Sequence, residues 1–138
     1  MAIRRSPVEA VLTATVAALK ASTGLTPLVT GVFNDVPQGT AYPYVVVTAP
    51  TNRRQDTWGC LGSAALIDVK AVSQYRGDRE AERILDQCIR TLNFEELSMS
   101  GHRMLGLAWD SSDRFQDVVN GVPTRYHVAT LRAWTEQI

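Results

Sequence analysis

The sequence predicts an α+β fold, a two-layer sandwich with a mainly antiparallel sheet and two main helices on one face. Three observations carry this. Two segments, starting near Pro7 and Asp78, repeat apolar residues at three- and four-residue spacing, the mark of amphipathic helices. Segments around 42–48, 63–75 and 124–134 are β-rich, and the last two alternate with a period of two. Asn120-Gly121 supplies a strong hairpin signal ahead of the last strand. The resulting order, helix, strands, helix, strands, lets both helices cover one sheet face. At 138 residues the chain is expected to form one domain, 1–138, with a flexible loop at 49–62.

The first helix is predicted from Pro7 to Ala21. Ser6 is placed to cap it, Pro7 fits the first position and Glu9 completes a capping box. Val8, Val11, Leu12, Thr15, Val16 and Leu19 form its stripe, and Gly24 is the expected stop. Residues 25–31 read as a short helical turn packed by Leu25 and Leu28, followed by a brief strand at Val32-Phe33. Turn formers from Asn34 to Ala41 give a loop. Tyr42 to Thr48 reads as a buried strand with Pro43 at its start or edge.

Ala49 to Gly62 reads as a loop or a long hairpin excursion, and Ser63 to Tyr75 as a long strand. Its Ala65, Ile67, Val69, Ala71 and Ser73 share one face; Leu66, Asp68, Lys70 and Val72 share the other. The second helix, from about Asp78 to Leu92, is capped by Asp78 and buries Ala81, Ile84, Leu85, Cys88, Ile89 and Leu92. Its charged face includes a favourable Asp86–Arg90 pair. A short strand is expected at Leu97–Met99 and a longer one at His102–Trp109. Asp110 to Asp117 reads as a bulge or turn. In the last strand the small set His127, Ala129, Leu131 and Ala133 faces the helices. Tyr126, Val128, Thr130, Arg132 and Trp134 take the other side. That side lacks a covering layer and mixes Asp68 and Lys70 with Leu66, Val72 and Trp134, as a subunit interface does.

Composition narrows the function. Fourteen Lys plus Arg balance fourteen Asp plus Glu, which argues against a basic nucleic-acid coat and against an acidic tail, but not against a local patch. Cys60 and Cys88 form no CxxC pair, so no cysteine-rich zinc site is expected and both thiols are read as reduced. No apolar run approaches membrane-spanning length, and Glu9 and several Thr break the only signal-like start. Phosphate, zinc-protease and nucleophile-elbow motifs are absent.

Two chemical readings are weak. An enzyme would have to use His102, His127, Cys60, Asp110 or Asp113, which nothing in their spacing brings together. A nucleic-acid module would use Arg4-Arg5 and Arg53-Arg54, with Tyr42, Tyr44 and Trp58 stacking on bases. Basic pairs in loops and aromatics in strands are more often solvated ends and core. No catalytic residue, metal or cofactor is assigned.

One resemblance spans nearly the whole chain. It is carried by Val32 to Gly39 (VFNDVPQG), Tyr42 to Val47 (YPYVVV), Val69 to Tyr75 with Arg76-Gly77 and the Ala81-Glu82 helix, Ser100 to Arg103, and Thr124 to Ala133. Together these resemble the tail-completion, or tail terminator, proteins of long-tailed bacteriophages, prophages and gene-transfer particles. The resemblance implies a structural subunit of a ring, usually of six copies, that stops the tail tube and joins it to the head connector. DNA would pass through the ring without sequence-specific binding. It implies a virion component at the tail end or neck, assembled in the host cytoplasm, with itself, the tube protein and the connector as partners. A neck or head-completion protein of the same virion is the alternative. Val36, Pro37, Gln38 and Gly39 would form a rigid loop, and Tyr42, Pro43 and Tyr44 would pack the start of a central strand. Arg53, Arg54, Asp56 and Trp58 are the expected tube or inter-subunit contacts, and Tyr126, Arg132 and Trp134 a further interface.

Overall fold

The computed structural model describes residues 5–56 and 61–138. Helix α1 (Val8–Lys20) is followed by a 3-10 turn at Thr26–Leu28, strands β1 (Val32–Phe33), β2 (Tyr44–Arg54) and β3 (Gly62–Ser73), helix α2 (Arg79–Leu92), and strands β4 (His102–Val119) and β5 (Val122–Gln137). The five strands form one sheet in the order β1-β2-β3-β5-β4. Only the β1–β2 pair is parallel. Both helices pack on one face, so the two-layer α+β reading holds.

The core lies between the helices and that face. Val45, Val47, Ile67, Val69, Ala71, Ala129, Leu131 and Ala133 have 0% exposure, and Ile84, Leu85, Cys88 and Leu92 of α2 close over them. The period-two alternation of β3 and β5 put the right residues on this face. Thr15, the polar member of the α1 stripe, donates its hydroxyl to the Val11 carbonyl at 2.7 Å and so enters the core with a partner. Burial pushes the Cys88 thiol up to about 12.

Several local expectations are corrected. The capping box does not form. Pro7 is already αR (φ −83°, ψ −4°), so Ser6 sits one residue too early and its Oγ reaches only the Val8 N–H, at 3.4 Å. Asp78 does stand at the start of α2, but its carboxylate turns to β5 instead of capping the helix. α1 ends at Lys20, ahead of Gly24. Gly24 instead lies close to α2: a Cβ there would lie 2.6 Å from Oε1 of Gln87, a side-chain end that can swing aside. Leu25 is buried as expected, whereas Leu28 is exposed.

The strands are longer than their residues suggested. Of the two readings of 49–62, a loop or a long hairpin excursion, the structure shows the hairpin as far as Arg54: Thr51 to Arg54 pair with Leu66 to Ser63 beyond a bulge at Ala49-Pro50. The base of this hairpin is closed by the Gln55 N–H on the Gly62 carbonyl and the Gly62 N–H on Asp56 Oδ1. Asp110–Asp117, read as a bulge or turn, is mostly strand: the bulge falls at Asp110 and the rest pairs with β5. Asn120 (φ 52°) and Gly121 (φ 78°) then make the expected tight turn. No strand forms at Leu97–Met99. Finally, β2 is not central. β1 covers only Val45 and Val46, so most of β2 is an edge.

Candidate interaction surface

The sheet face away from the helices carries no second layer, and its side chains run in rows across the strands. The first row is Tyr44, Val72, Tyr126 and Phe115. Phe115 stacks on Tyr126 with ring centroids 4.7 Å apart and planes 8° from parallel. Tyr42 packs on Tyr44 at 5.2 Å, and Phe33 meets Tyr44 edge-on at 6.3 Å. An aromatic belt therefore crosses one end of the face. Burial, and then the neighbouring Tyr42, push the Tyr44 phenol up to about 12, and burial raises Tyr126 as well.

The next rows turn polar. Val46, Lys70, Val128 and Asp113 come second; Thr48, Asp68, Thr130 and Ser111 third. Thr130 donates its hydroxyl to Asp68 at 2.9 Å. Beyond them lie Thr51, Leu66, Arg132 and Ala108, then Arg53, Ala64, Trp134 and Gly106. Here Arg53 and Arg132 flank a cleft of about 320 Å³ floored by Ala64 and Leu66. The Arg132 guanidinium lies 6.0 Å from the Trp134 ring. The face is thus aromatic at one end, hydrogen-bonded in the middle and cationic at the other.

The expected contact residues divide accordingly. Tyr42 and Pro43 lead into β2, which opens at Tyr44, and Tyr44 shares the aromatic belt with Tyr126. Arg132 and Trp134 sit together toward the other end, roughly 20 and 26 Å from Tyr126 at one strand rise per residue. The pleat splits the arginine pair: Arg53 is on the open face, while Arg54 turns the other way and is paired with Asp56. Val36 to Gly39 form a turn between β1 and β2, with the Thr40 hydroxyl donating to the Pro37 carbonyl at 2.6 Å and Gly39 at φ 83°. Trp58 and Cys60 lie outside the described residues.

The residues weighed for catalysis do not converge. His102 is buried at the start of β4, opposite Gln137, whereas His127 lies opposite Arg114, ten residues along β5. That is roughly 33 Å away. His127 is 1% exposed, with Nδ1 2.7 Å from Glu82 Oε2 and Nε2 3.2 Å from Asp78 Oδ1. It ties β5 to the first turn of α2 and has no room for a substrate. Its partners stand 45 and 49 residues away in the chain, so only the face that His127 takes is legible in its own segment. Phe115 was missed because its segment is dense in turn formers. Among the described residues, no group of three or more His, Cys, Asp or Glu could hold a metal, and no helix is long and apolar enough to cross a membrane.

An unlayered, row-patterned face on a small domain is a candidate surface for protein contact. The family described as tail completion protein gp17 matches residues 13–136. The chain belongs to this family. As a family member it is a structural, non-catalytic protein with a general role in tail completion and head joining. Its fold is similar to that of a chain in the solved structure titled "Virion of native gene transfer agent (GTA) particle". The two share 21% identity and a TM-score of 0.78, over 93% of this chain and 96% of that one. No curated protein matches the chain.

Proposed function

We propose that this tail completion protein is a ring subunit that caps the end of the tail tube and presents a surface to the head connector. The observation that carries the reading is the open sheet face. A tail completion protein must hold neighbours, and this face leaves an aromatic belt and an arginine-flanked cleft uncovered. Phe115, at 50% exposure, carries the apolar surface onto β4. The likeness to a chain of a gene transfer agent virion supports the same placement. At 138 residues one subunit is too small to surround a DNA duplex, so passage of the genome requires several copies around a hole. Six copies are expected, with Arg53, Arg54, Asp56 and Trp58 toward the tube or the next subunit. The tube protein and the connector are the other partners. The protein assembles in the host cytoplasm before it joins the virion.

Electron microscopy of particles lacking the protein tests this. Overlong tails alongside full heads are expected. Tails of normal length that fail to join heads would move the protein to the neck, and normal particles would end the proposal.

A further inference from the structure

Phe94, just past the end of α2, is held where its fold has no use for it. Two non-glycine residues have positive φ among the described residues. Asn120 sits in a tight turn that suits it, whereas Phe94 (φ 64°) is a bulky side chain in the left-handed region that favours glycine. Its ring is 82% exposed, so burial does not offset the strain. The bonds that hold the turn are made by backbone alone. The Phe94 N–H donates to the Leu107 carbonyl at 2.7 Å, and the Glu95 N–H to the Leu92 carbonyl at 3.1 Å. Glycine would keep both bonds without the strain. A strained aromatic that stability does not require points to contact with something else.

Its neighbours extend it into a patch. Asn93 Oδ1 accepts the Trp109 N–H at 2.9 Å, which lays this segment along the β4 margin. Trp109 lies opposite Leu131, on the helix side, and is 47% exposed. Its indole N–H is fixed on the Ser111 carbonyl and Ser112 Oγ, both at 3.0 Å. Two held aromatics thus stand beside Glu95 and Glu96, which are exposed and have no ion-pair partner among the described residues. Rigid aromatics of this kind are the usual anchors of protein contacts.

The complementary surface is on the same chain. The cleft between Arg53 and Arg132 has an apolar floor of Ala64 and Leu66. Arg53 has no ion-pair partner among the described residues, and Arg132 is held only loosely, 3.9 Å from Asp110. A cavity of about 150 Å³ takes a benzene ring, so a cleft of about 320 Å³ admits an aromatic side chain. Register sets patch and cleft at one level of the sheet. The row Arg53, Ala64, Trp134 and Gly106 ends beside Leu107, the residue that accepts the Phe94 N–H. The two surfaces stand at opposite margins, the patch on the helix side and the cleft on the open face.

We infer that Phe94, with Glu95 and Glu96, docks into the Arg53–Arg132 cleft of a second copy of this chain. The copies overlap, the helix-side β4 margin of one lying on the open face of the next, so each uses one patch and one cleft. The contact is heterologous, the kind that closes into a ring. It rests on the ring reading above and assigns that ring its interface.

Stability and assembly should part company at Phe94. Phe94→Gly relieves the strain and should melt at the same temperature as the unaltered protein or a few degrees higher. Its assembly, followed by sedimentation and by capping of purified tail tubes, should be at least about tenfold weaker. Charge exchange identifies the occupant. Glu95→Lys/Glu96→Lys and Arg53→Glu/Arg132→Glu, each checked for folding by circular dichroism, should assemble poorly alone, because patch and cleft then carry like charge. An equimolar mixture of the two should recover assembly with alternating subunits, and the fourfold variant should recover it alone. A Phe94→Gly variant that assembles undiminished or melts several degrees lower would overturn the contact and leave the ring reading intact. So would a mixture of folded doubles no better than its components. An unaltered protein that neither self-associates nor caps tubes would remove both.

Discussion

The two faces of this sheet are built from the same strands and obey different rules. On the helix side, Val45, Val47, Ile67, Val69, Ala129 and Leu131 are sealed by α1 and α2. Their neighbours one residue along, Val46, Leu66, Asp68, Lys70, Val128 and Thr130, form the open side. A buried face is chosen for volume, since its free energy comes from apolar area and close packing. The open face is sorted instead into aromatic, hydrogen-bonded and cationic rows. A face needed only for solubility would have no reason to be sorted. The difference teaches that one side of the sheet holds the domain together and the other is available for neighbours.

The sharpest way to break that comparison is a pair of truncations on β3. Ile67→Ala should cost about 2–5 kcal/mol in urea unfolding, since it opens a cavity under the helices. Lys70→Ala on the open side should stay within about 0.5 kcal/mol. Equal losses would mean that both faces serve the core. Next in size is His127→Ala, expected to lose about 1–3 kcal/mol by the same measurement, because it removes a buried ring bonded to two carboxylates.

Alkaline pH separates the faces by chemistry. Cys88, on the helix side, is raised from 9.0 to about 12 in the folded chain. Between those values the unfolded chain has lost the thiol proton and the folded chain retains it. Stability contributed by the protonated thiol is therefore full below pH 9 and lost as pH rises toward 12. Tyr44, on the open side, is raised from 10.0 to about 12 and acts in the same direction from pH 10 upward. Thermal melts across this range should fall less steeply for Cys88→Ala than for the unaltered chain. In an ultraviolet titration, Tyr44→Phe should remove the highest phenol step. A modest loss is expected of Phe115→Ala, about 0.5–1.5 kcal/mol from the lost stack on Tyr126. If that variant also fails to cap tubes while remaining folded, the belt acts in contact and not in stability.

Much of the architecture was legible because its signals are local. The α2 stripe, the face assignments of β3 and β5 and the Asn120-Gly121 turn all follow from spacing within a few residues. The cap at Asp78 was misread for a non-local reason: Arg125 and His127, brought close by β5, take its carboxylate. The same holds for Asp110–Asp117. Its Asp and Ser residues favour turns, yet pairing with Thr124 to Thr130 keeps it extended. On the open face, Arg53, Tyr126, Arg132 and Trp134 could be named in advance as candidates for contact. Their division between opposite ends of one face could not.

By itself the sequence determined the fold class, the buried side of each main strand and membership of a tail completion family. Periodicity encodes which way a side chain points, and motifs persist along the chain. Only the tertiary structure decided which strands became edges, that tyrosines from β2 and β5 share one belt, and that this belt and the arginine-flanked cleft stand at opposite ends of one face. Those outcomes depend on strand order, which brings together residues dozens of positions apart and leaves no short-range trace in the sequence that specifies it.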